Sequence, residues 1–132
     1  MRWEEKQINL ILKKTKLFSK ENQLILKEIV SEVHYRDQYV RYINKSNTIS
    51  IVFWFVPEYD ITIEFYPNIL TVIKSIILNR KREPKILSFK TILNSNKSIT
   101  NFEKFIEDSI NHINSNKILY DKRIIYKLER DD

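Results

Sequence analysis

Residues Ser50 to Leu70 form the most apolar part of the chain, and the stretch Thr48 to Val56, which overlaps its start, constrains the fold more than any other segment. Read as a β-strand, the stretch has apolar side chains on both alternating faces: Ile49, Ile51, Phe53 and Phe55 on one, and Val52, Trp54 and Val56 on the other. Such a strand is central in its sheet and covered on both sides. The run is far shorter than the ~18 apolar residues that cross a bilayer, so we expect no membrane insertion.

The neighbouring segments extend this strand into a sheet. Tyr35 to Ile43 alternates in a strand-like manner, and the turn Asn44 to Asn47 suits a hairpin because asparagine tolerates the left-handed backbone. Glycine, the usual residue for that conformation, is absent from the chain. A third strand follows at Ile61 to Tyr66, and further strands are predicted at 85–93 and 124–129.

Helical spacing predicts the remaining elements. Ile8, Ile11 and Leu12 indicate a helix near the N-terminus, and Phe18 to Val33 predicts a second helix with Ser19 as N-cap. The clearest helix covers 100–114, where Thr100 and Glu103 form a capping box. Its apolar stripe comprises Phe102, Phe105, Ile106, Ile110 and Ile113. Residues 69–79 fit a helix slightly better than a strand. A strand remains the alternative, because β-branched side chains favour that conformation.

These segments predict one compact α+β domain over residues 1–132. Its antiparallel β-meander has about four to five strands. The sheet is packed by an N-terminal helical hairpin and a C-terminal amphipathic helix.

The composition excludes several kinds of chemistry. Without glycine the chain has no Walker A loop, dinucleotide fingerprint or nucleophile elbow. Without cysteine it has no disulfide or thiolate site, which suits the cytoplasm. Asp60 and Glu64 share a strand face but lie roughly 13 Å apart, and we interpret them as an ordinary solvated face. We therefore expect no enzyme activity, no catalytic or metal site and no cofactor.

Basic residues suggest an alternative role in nucleic-acid binding. The net charge is +6, with clusters at Lys13 to Lys16 and at Asn79 to Lys85. The second cluster supplies the candidate contacts Arg80, Lys81, Arg82 and Lys85. Lysine is a weak signal here because abundant Lys, Ile and Asn follow from A/T-rich codons.

The first helix carries a second apolar stripe. Trp3, Leu10 and Leu17 recur every seven residues on the side opposite Ile8, Ile11 and Leu12. The stripe is either covered within the domain or meets a partner or a second copy of the chain, since Trp is frequent among binding anchors.

The sequence favours a non-enzymatic protein-binding module. Short α+β chains without catalytic motifs often act as bacterial immunity proteins that neutralise toxins, or as phage or plasmid inhibitors, and this is an analogy. Because the chain is basic, a toxin partner is expected to be acidic or a non-nuclease. The alternative is a nucleic-acid-binding regulator, and a more remote one is a metal-independent RNase that uses Arg, Lys, Tyr or His.

Overall fold

The computed structural model describes residues 3–31, 37–56, 59–67, 73–74, 76–78, 85–88 and 102–121. Two α-helices, five strands and one 3-10 turn have defined bounds in these ranges, and residues 73, 74, 76 and 77 are also helical. In chain order they are α1 (Trp3–Glu21), β1 (Leu24–Val30), β2 (Gln38–Asn44), β3 (Ile49–Val56), β4 (Asp60–Phe65), β5 (Lys85–Ser88), α2 (Phe102–Ser115) and the 3-10 turn (Ile118–Tyr120).

The five strands form one sheet in the order β1-β2-β3-β4-β5, and every neighbouring pair is antiparallel. The predicted α+β class and the antiparallel meander are therefore confirmed. The apolar strand β3 lies at the centre, as its two apolar faces predicted. The β2–β3 hairpin turns through Asn47, which has a φ of 58° and so occupies the left-handed region without glycine.

The predicted N-terminal helical hairpin is wrong, because α1 is the single helix before the sheet. It ends at Glu21, and Gln23 then takes a left-handed φ of 55° that redirects the chain into β1. The strand β1 pairs with β2 and contains a bulge between Leu26 and Glu28. The bulge breaks the two-residue alternation, so the apolar residues of this segment resemble a helical pattern. Hydrogen bonds to β2, which lie outside the segment itself, decide its conformation.

The hydrophobic core lies between one face of the sheet and a layer formed by α1, α2 and the 3-10 turn. The central strand contributes Ile51, Phe53 and Phe55, and α1 contributes Ile11 and Phe18. The predicted stripe of α2 is confirmed, since its five apolar members are all buried: Phe102, Phe105, Ile106, Ile110 and Ile113. The helices α1 and α2 pack on this face alone, so the side chains on the opposite face of the sheet are not part of this core.

Several predictions fall partly outside the described residues. Residues 73, 74, 76 and 77 are helical, in agreement with the favoured interpretation of 69–79. The strand β5 matches the first part of the strand predicted at 85–93. The predicted strand at 124–129 and the cap at Thr100 lie outside the described residues. In the part of the chain that the structure describes, no helix is both long enough and apolar enough to cross a membrane.

Candidate functional site

The sheet has a second face that points away from α1 and α2, and we call it the outer face. It is defined by alternating residues of the three middle strands: Tyr39 and Arg41 of β2, Ser50, Val52 and Trp54 of β3, and Asp60, Thr62 and Glu64 of β4. Glu28 of the edge strand joins it opposite Arg41. The core cluster that contains α1 and α2 includes none of these residues. Among the described helices, neither α1 nor α2 therefore covers the outer face.

Arg41 is the centre of a hydrogen-bonded network on the outer face. Its Nε donates to Glu28 Oε1 at 3.0 Å. Its Nη1 donates to Ser50 Oγ at 2.6 Å and to Glu64 Oε1 at 2.5 Å. One guanidinium thus joins β1, β2, β3 and β4, and bonds between an ionised donor and ionised acceptors are the strongest of their type. The network holds Arg41 in one position.

Two tyrosines complete the coordination of the carboxylates. The Tyr39 hydroxyl donates to Glu28 Oε1 at 3.1 Å, and the Tyr66 hydroxyl donates to Glu64 Oε2 at 2.7 Å. Burial raises the pKa of both tyrosines, and the hydrogen bonds to Glu28 and Glu64 raise them further. Both hydroxyls therefore remain protonated donors at neutral pH.

The charge of Arg41 is also secured by its surroundings. Partial burial acts to lower the pKa of Arg41, but the hydrogen bond and the charge of Glu64 outweigh it, so the pKa lies above its usual value. The guanidinium is therefore charged at neutral pH.

An aromatic pair lies beside this network. The rings of Tyr39 and Trp54 are 4.8 Å apart between centroids and tilted by 51°, and the Arg41 guanidinium is 5.5 Å from the Tyr39 centroid. The indole Nε1 of Trp54 donates to Thr62 Oγ1 at 3.0 Å. Both aromatic side chains are half-buried, so each has one surface against the protein and one toward solvent. The ring contact and the indole hydrogen bond both favour these side-chain conformations.

The outer face is locally acidic although the whole chain is basic. Its described members include three carboxylates, from Glu28, Asp60 and Glu64, against one guanidinium, which gives a formal local charge of −2. The net charge of the chain is +6. The positive charge is therefore concentrated elsewhere, and the outer face has the opposite sign.

This arrangement suits recognition better than catalysis. Two carboxylates already accept hydrogen bonds from Nε and Nη1 of Arg41, so an incoming phosphate meets a local excess of negative charge around this cation. Among the described residues, no three His, Asp or Glu side chains are grouped so that they could hold a metal ion. His112 lies on α2, in the layer on the other side of the sheet.

The structure places the predicted stripe of α1 in unlike surroundings. Leu10 is half-buried against the core, whereas Leu17 is 66% exposed. Trp3 begins α1, but its side chain lies outside the described part of the chain. The two leucines therefore differ in cover: Leu10 packs partly against the core, and Leu17 lies largely in solvent.

The basic cluster Lys13 to Lys16 is divided between two roles. Lys14 forms ion pairs with Glu103 at 2.8 Å and Glu107 at 2.6 Å, and these hydrogen bonds raise the pKa of Lys14 to about 12. Lys13 and Lys16 are exposed, together with Lys6 and Lys20 on the same side of α1.

The second predicted basic cluster is described only in part. Lys85 is the first residue of β5, opposite Phe65 in the register of the sheet. Arg80, Lys81 and Arg82 lie outside the described residues.

Sequence reasoning did not find the Arg41 network. Glu28 was assigned to a helix, so it could not be placed beside β2. The available signal was Arg41 itself, a charged residue in a strand that pairs with the most apolar strand of the chain. A buried or half-buried cation next to such a strand requires carboxylate partners from neighbouring strands.

Comparisons of the chain with protein-family models, with curated proteins and with solved structures gave no match. The fold and the outer face define the class of the molecule: an α+β protein with α1 and α2 on one side of a five-stranded sheet and an aromatic, acidic surface on the other.

Proposed function

We propose that this protein is a non-enzymatic protein-binding module whose partner docks on the outer face. The observation that carries the proposal is the fixed group of Tyr39, Arg41 and Trp54 on a sheet face that α1 and α2 leave uncovered. These three residue types are enriched among the few residues that dominate the binding energy of protein interfaces. Side chains that are already held in place lose little conformational entropy on binding.

The local charge of the outer face favours a basic contact surface on the partner. Lys or Arg side chains of a partner would approach Glu28, Asp60 and Glu64, and opposite charges accelerate association and favour correct pairing. The whole-chain charge led to the expectation of an acidic or non-nuclease partner. In this proposal the charge of the contacting face matters more than the net charge of the chain. At physiological ionic strength, salt largely screens the interaction between exposed charges that are more than about 8 Å apart.

Within this class, the specific role that we propose is neutralisation of a toxin or inhibition of another protein in the cytoplasm. An inhibitor of this kind needs a rigid, complementary surface and no chemistry of its own. The outer face offers both aromatic anchors and satisfied charges. The ribonuclease alternative is weaker, because the one described cation of this face is neutralised by Glu28 and Glu64 and would not stabilise a phosphate.

The test is capture of a partner from the native host with matched variants. Wild-type protein, Trp54→Ala and Lys13→Ser are immobilised and exposed to the same lysate, and any retained protein is purified and titrated against each. Loss of an aromatic anchor is expected to weaken binding by ~2 kcal/mol or more, about thirtyfold. The α1 variant Lys13→Ser changes the opposite layer and should bind like wild type.

Two further measurements make this test decisive. Melting temperatures show whether each variant is folded, since a fold defect would reduce capture for a different reason. Asp60→Asn should slow association at low salt, because it removes one carboxylate from the face. A partner that binds Trp54→Ala and wild type equally would contradict the proposal.

A further inference from the structure

The strand β1 lies at one edge of the sheet, and its side chains are largely exposed. Among the described strands it pairs with β2 alone, and no described strand lies on its other side. A sheet edge of this kind offers backbone N–H and C=O groups for pairing. Its five central residues are all exposed. Three of them are large apolar side chains: Ile25 is 55% exposed, Leu26 43% and Ile29 41%. Such an edge is a template for pairing with another strand.

The two apolar positions on the core side are exposed for a structural reason. Leu26 and Ile29 pair with Tyr42 and Val40, whose side chains are buried in the core. They therefore lie on the inner face of the sheet, where the helical layer covers this edge only in part and leaves both side chains exposed. Ile25 and Val30 pair with Ile43 and Tyr39 and so lie on the outer face.

We propose that β1 pairs with β1 of a second copy of this chain to form a twofold dimer with one continuous sheet. The inference does not rest on the proposed function. It rests on the self-complementarity of the strand when it is aligned antiparallel with itself so that Leu26 lies opposite Ile29 of the second copy. Ile25 then lies opposite Val30, and Lys27 lies opposite Glu28.

The bulge makes this symmetric alignment possible. In a regular strand, Leu26 and Ile29 would point to opposite faces and could not be cross-strand partners. The extra residue at Lys27 shifts the alternation of side chains between the two faces by one position. Leu26 and Ile29 therefore both lie on the inner face, and Ile25 and Val30 both lie on the outer face. Twofold symmetry repeats each pair, so the dimer contains every apolar pair and every Lys27 to Glu28 pair twice.

Complementary charge favours this register over its neighbours. It brings Lys27 of each copy opposite Glu28 of the other, whereas a register centred on Lys27 would oppose two lysines and mismatch the faces of all flanking residues. Like charges directly opposite each other destabilise a strand pair, and opposite charges stabilise it. The exposed inner-face residues Leu26 and Ile29 are also covered from water in this register.

Disulfide trapping tests the register directly, because the natural chain contains no cysteine. The variant Ile25→Cys/Val30→Cys should form covalent dimers under mild oxidation, since opposed strand residues have Cα atoms about 4.5–5.5 Å apart. Within one chain the same residues are roughly 16 Å apart and cannot bond. The control Ile25→Cys/Ile29→Cys places its thiols on opposite faces and should remain uncrosslinked.

Sedimentation or light scattering of unmodified protein supplies the second arm. We expect dimers whose dissociation constant rises about tenfold or more in Leu26→Lys, because a lysine in the pair would be desolvated without a partner. Leu17→Lys, on the exposed side of α1, is the matched control and should dimerise like wild type. Since Leu26 is partly exposed, its replacement should leave the fold intact, which circular dichroism checks.

Three results would overturn the dimer. One is a wild-type protein that stays monomeric up to submillimolar concentration. Another is a dimer that Leu17→Lys disrupts and Leu26→Lys does not, which would locate the interface on α1. The third is equal crosslinking of the two cysteine pairs, which would show collision without a defined register.

Discussion

At the scale of single residues, one buried hydrogen bond connects the helical layer to the sheet. The hydroxyl of Thr15 lies 2.6 Å from the hydroxyl of Tyr42 and donates to Ile11 O at 2.7 Å. Since threonine has one hydroxyl hydrogen and Ile11 O accepts it, Tyr42 is the donor to Thr15. Both side chains are buried, so neither has water as an alternative partner.

This geometry predicts unequal effects of removing the two hydroxyls. Tyr42→Phe leaves Thr15 bonded to Ile11 and should lower the free energy of unfolding by ~0.5–1.5 kcal/mol. Thr15→Val leaves the buried Tyr42 hydroxyl unpaired and should cost ~1–3 kcal/mol. Denaturant titration measures both. The double variant should lose less than the sum of the two, and strict additivity would mean that the two hydroxyls do not interact.

The ion pairs of Lys14 predict a defined pH dependence. The hydrogen bond and charge of Lys14 lower the pKa of Glu103 below 4.5. A depressed pKa stabilises the fold above the unfolded value, and the effect disappears as pH falls through the folded value. Lys14, with its pKa raised to about 12, contributes below 10.5 and loses its contribution as pH rises through about 12.

We therefore expect Glu103→Gln to melt below wild type at pH 7 and the difference to close as pH falls below 4.5. Thermal melts across this range measure it. In a Lys14→Met background the same substitution should have a much smaller effect at pH 7. A difference that persists unchanged at acid pH would show that the charge of Glu103 is not responsible.

At the scale of elements, β3 unites the two faces of the molecule. Its inward residues Ile51, Phe53 and Phe55 are part of the core, while Val52 is fully buried on the outer face between Arg41 and Thr62. The strand is thus covered on both sides, as its sequence predicted. The covering groups differ between the two faces: α1 and α2 pack on the inner face, whereas polar side chains joined by hydrogen bonds surround Val52 on the outer face.

We expect this difference to appear in two neighbouring substitutions. Phe53→Ala removes a fully buried ring and should lower the free energy of unfolding by ~3–5 kcal/mol. Trp54→Ala removes a half-buried ring from the outer face and should cost clearly less. Urea titrations of both variants provide the comparison. A loss below about 1 kcal/mol for Phe53→Ala would contradict a central position of β3.

At the scale of the whole molecule, charge is divided between the two layers. The outer face has a local excess of carboxylates, whereas the exposed side of α1 carries Lys6, Lys13, Lys16 and Lys20. These surfaces lie on opposite sides of the sheet. The net charge of +6 is therefore a poor guide to either surface taken alone.

This division predicts how the protein responds to nucleic acid. We expect weak binding of random RNA at low salt, carried by α1 rather than by the outer face. Replacing Lys13, Lys16 and Lys20 with Ser should reduce the slope of log affinity against log salt by up to ~3. Fluorescence anisotropy measures the slope. If serine at Arg80, Lys81 and Arg82 reduces it instead, those residues form the binding surface.

The sequence by itself determined the features that depend on local pattern. The alternation of Thr48 to Val56 identified β3, the spacing of Phe102 to Ile113 identified α2, and the asparagine-rich turn identified the β2–β3 hairpin. Each rests on residues within one segment, because helical spacing, strand alternation and turn preference are properties of neighbours along the chain.

Only the tertiary structure decided the conformation of Leu24–Val30 and the composition of the outer face. Because of the bulge at Lys27, the apolar residues of β1 have a spacing that resembles that of a helix, and only the hydrogen bonds to β2 identify the segment as a strand. The Arg41 network then depends on that assignment, since Glu28 comes from β1 and Glu64 from β4, which are 36 residues apart in sequence. Partners at such separations meet through strand order and register, and these are set by the packing of the whole sheet against its helices.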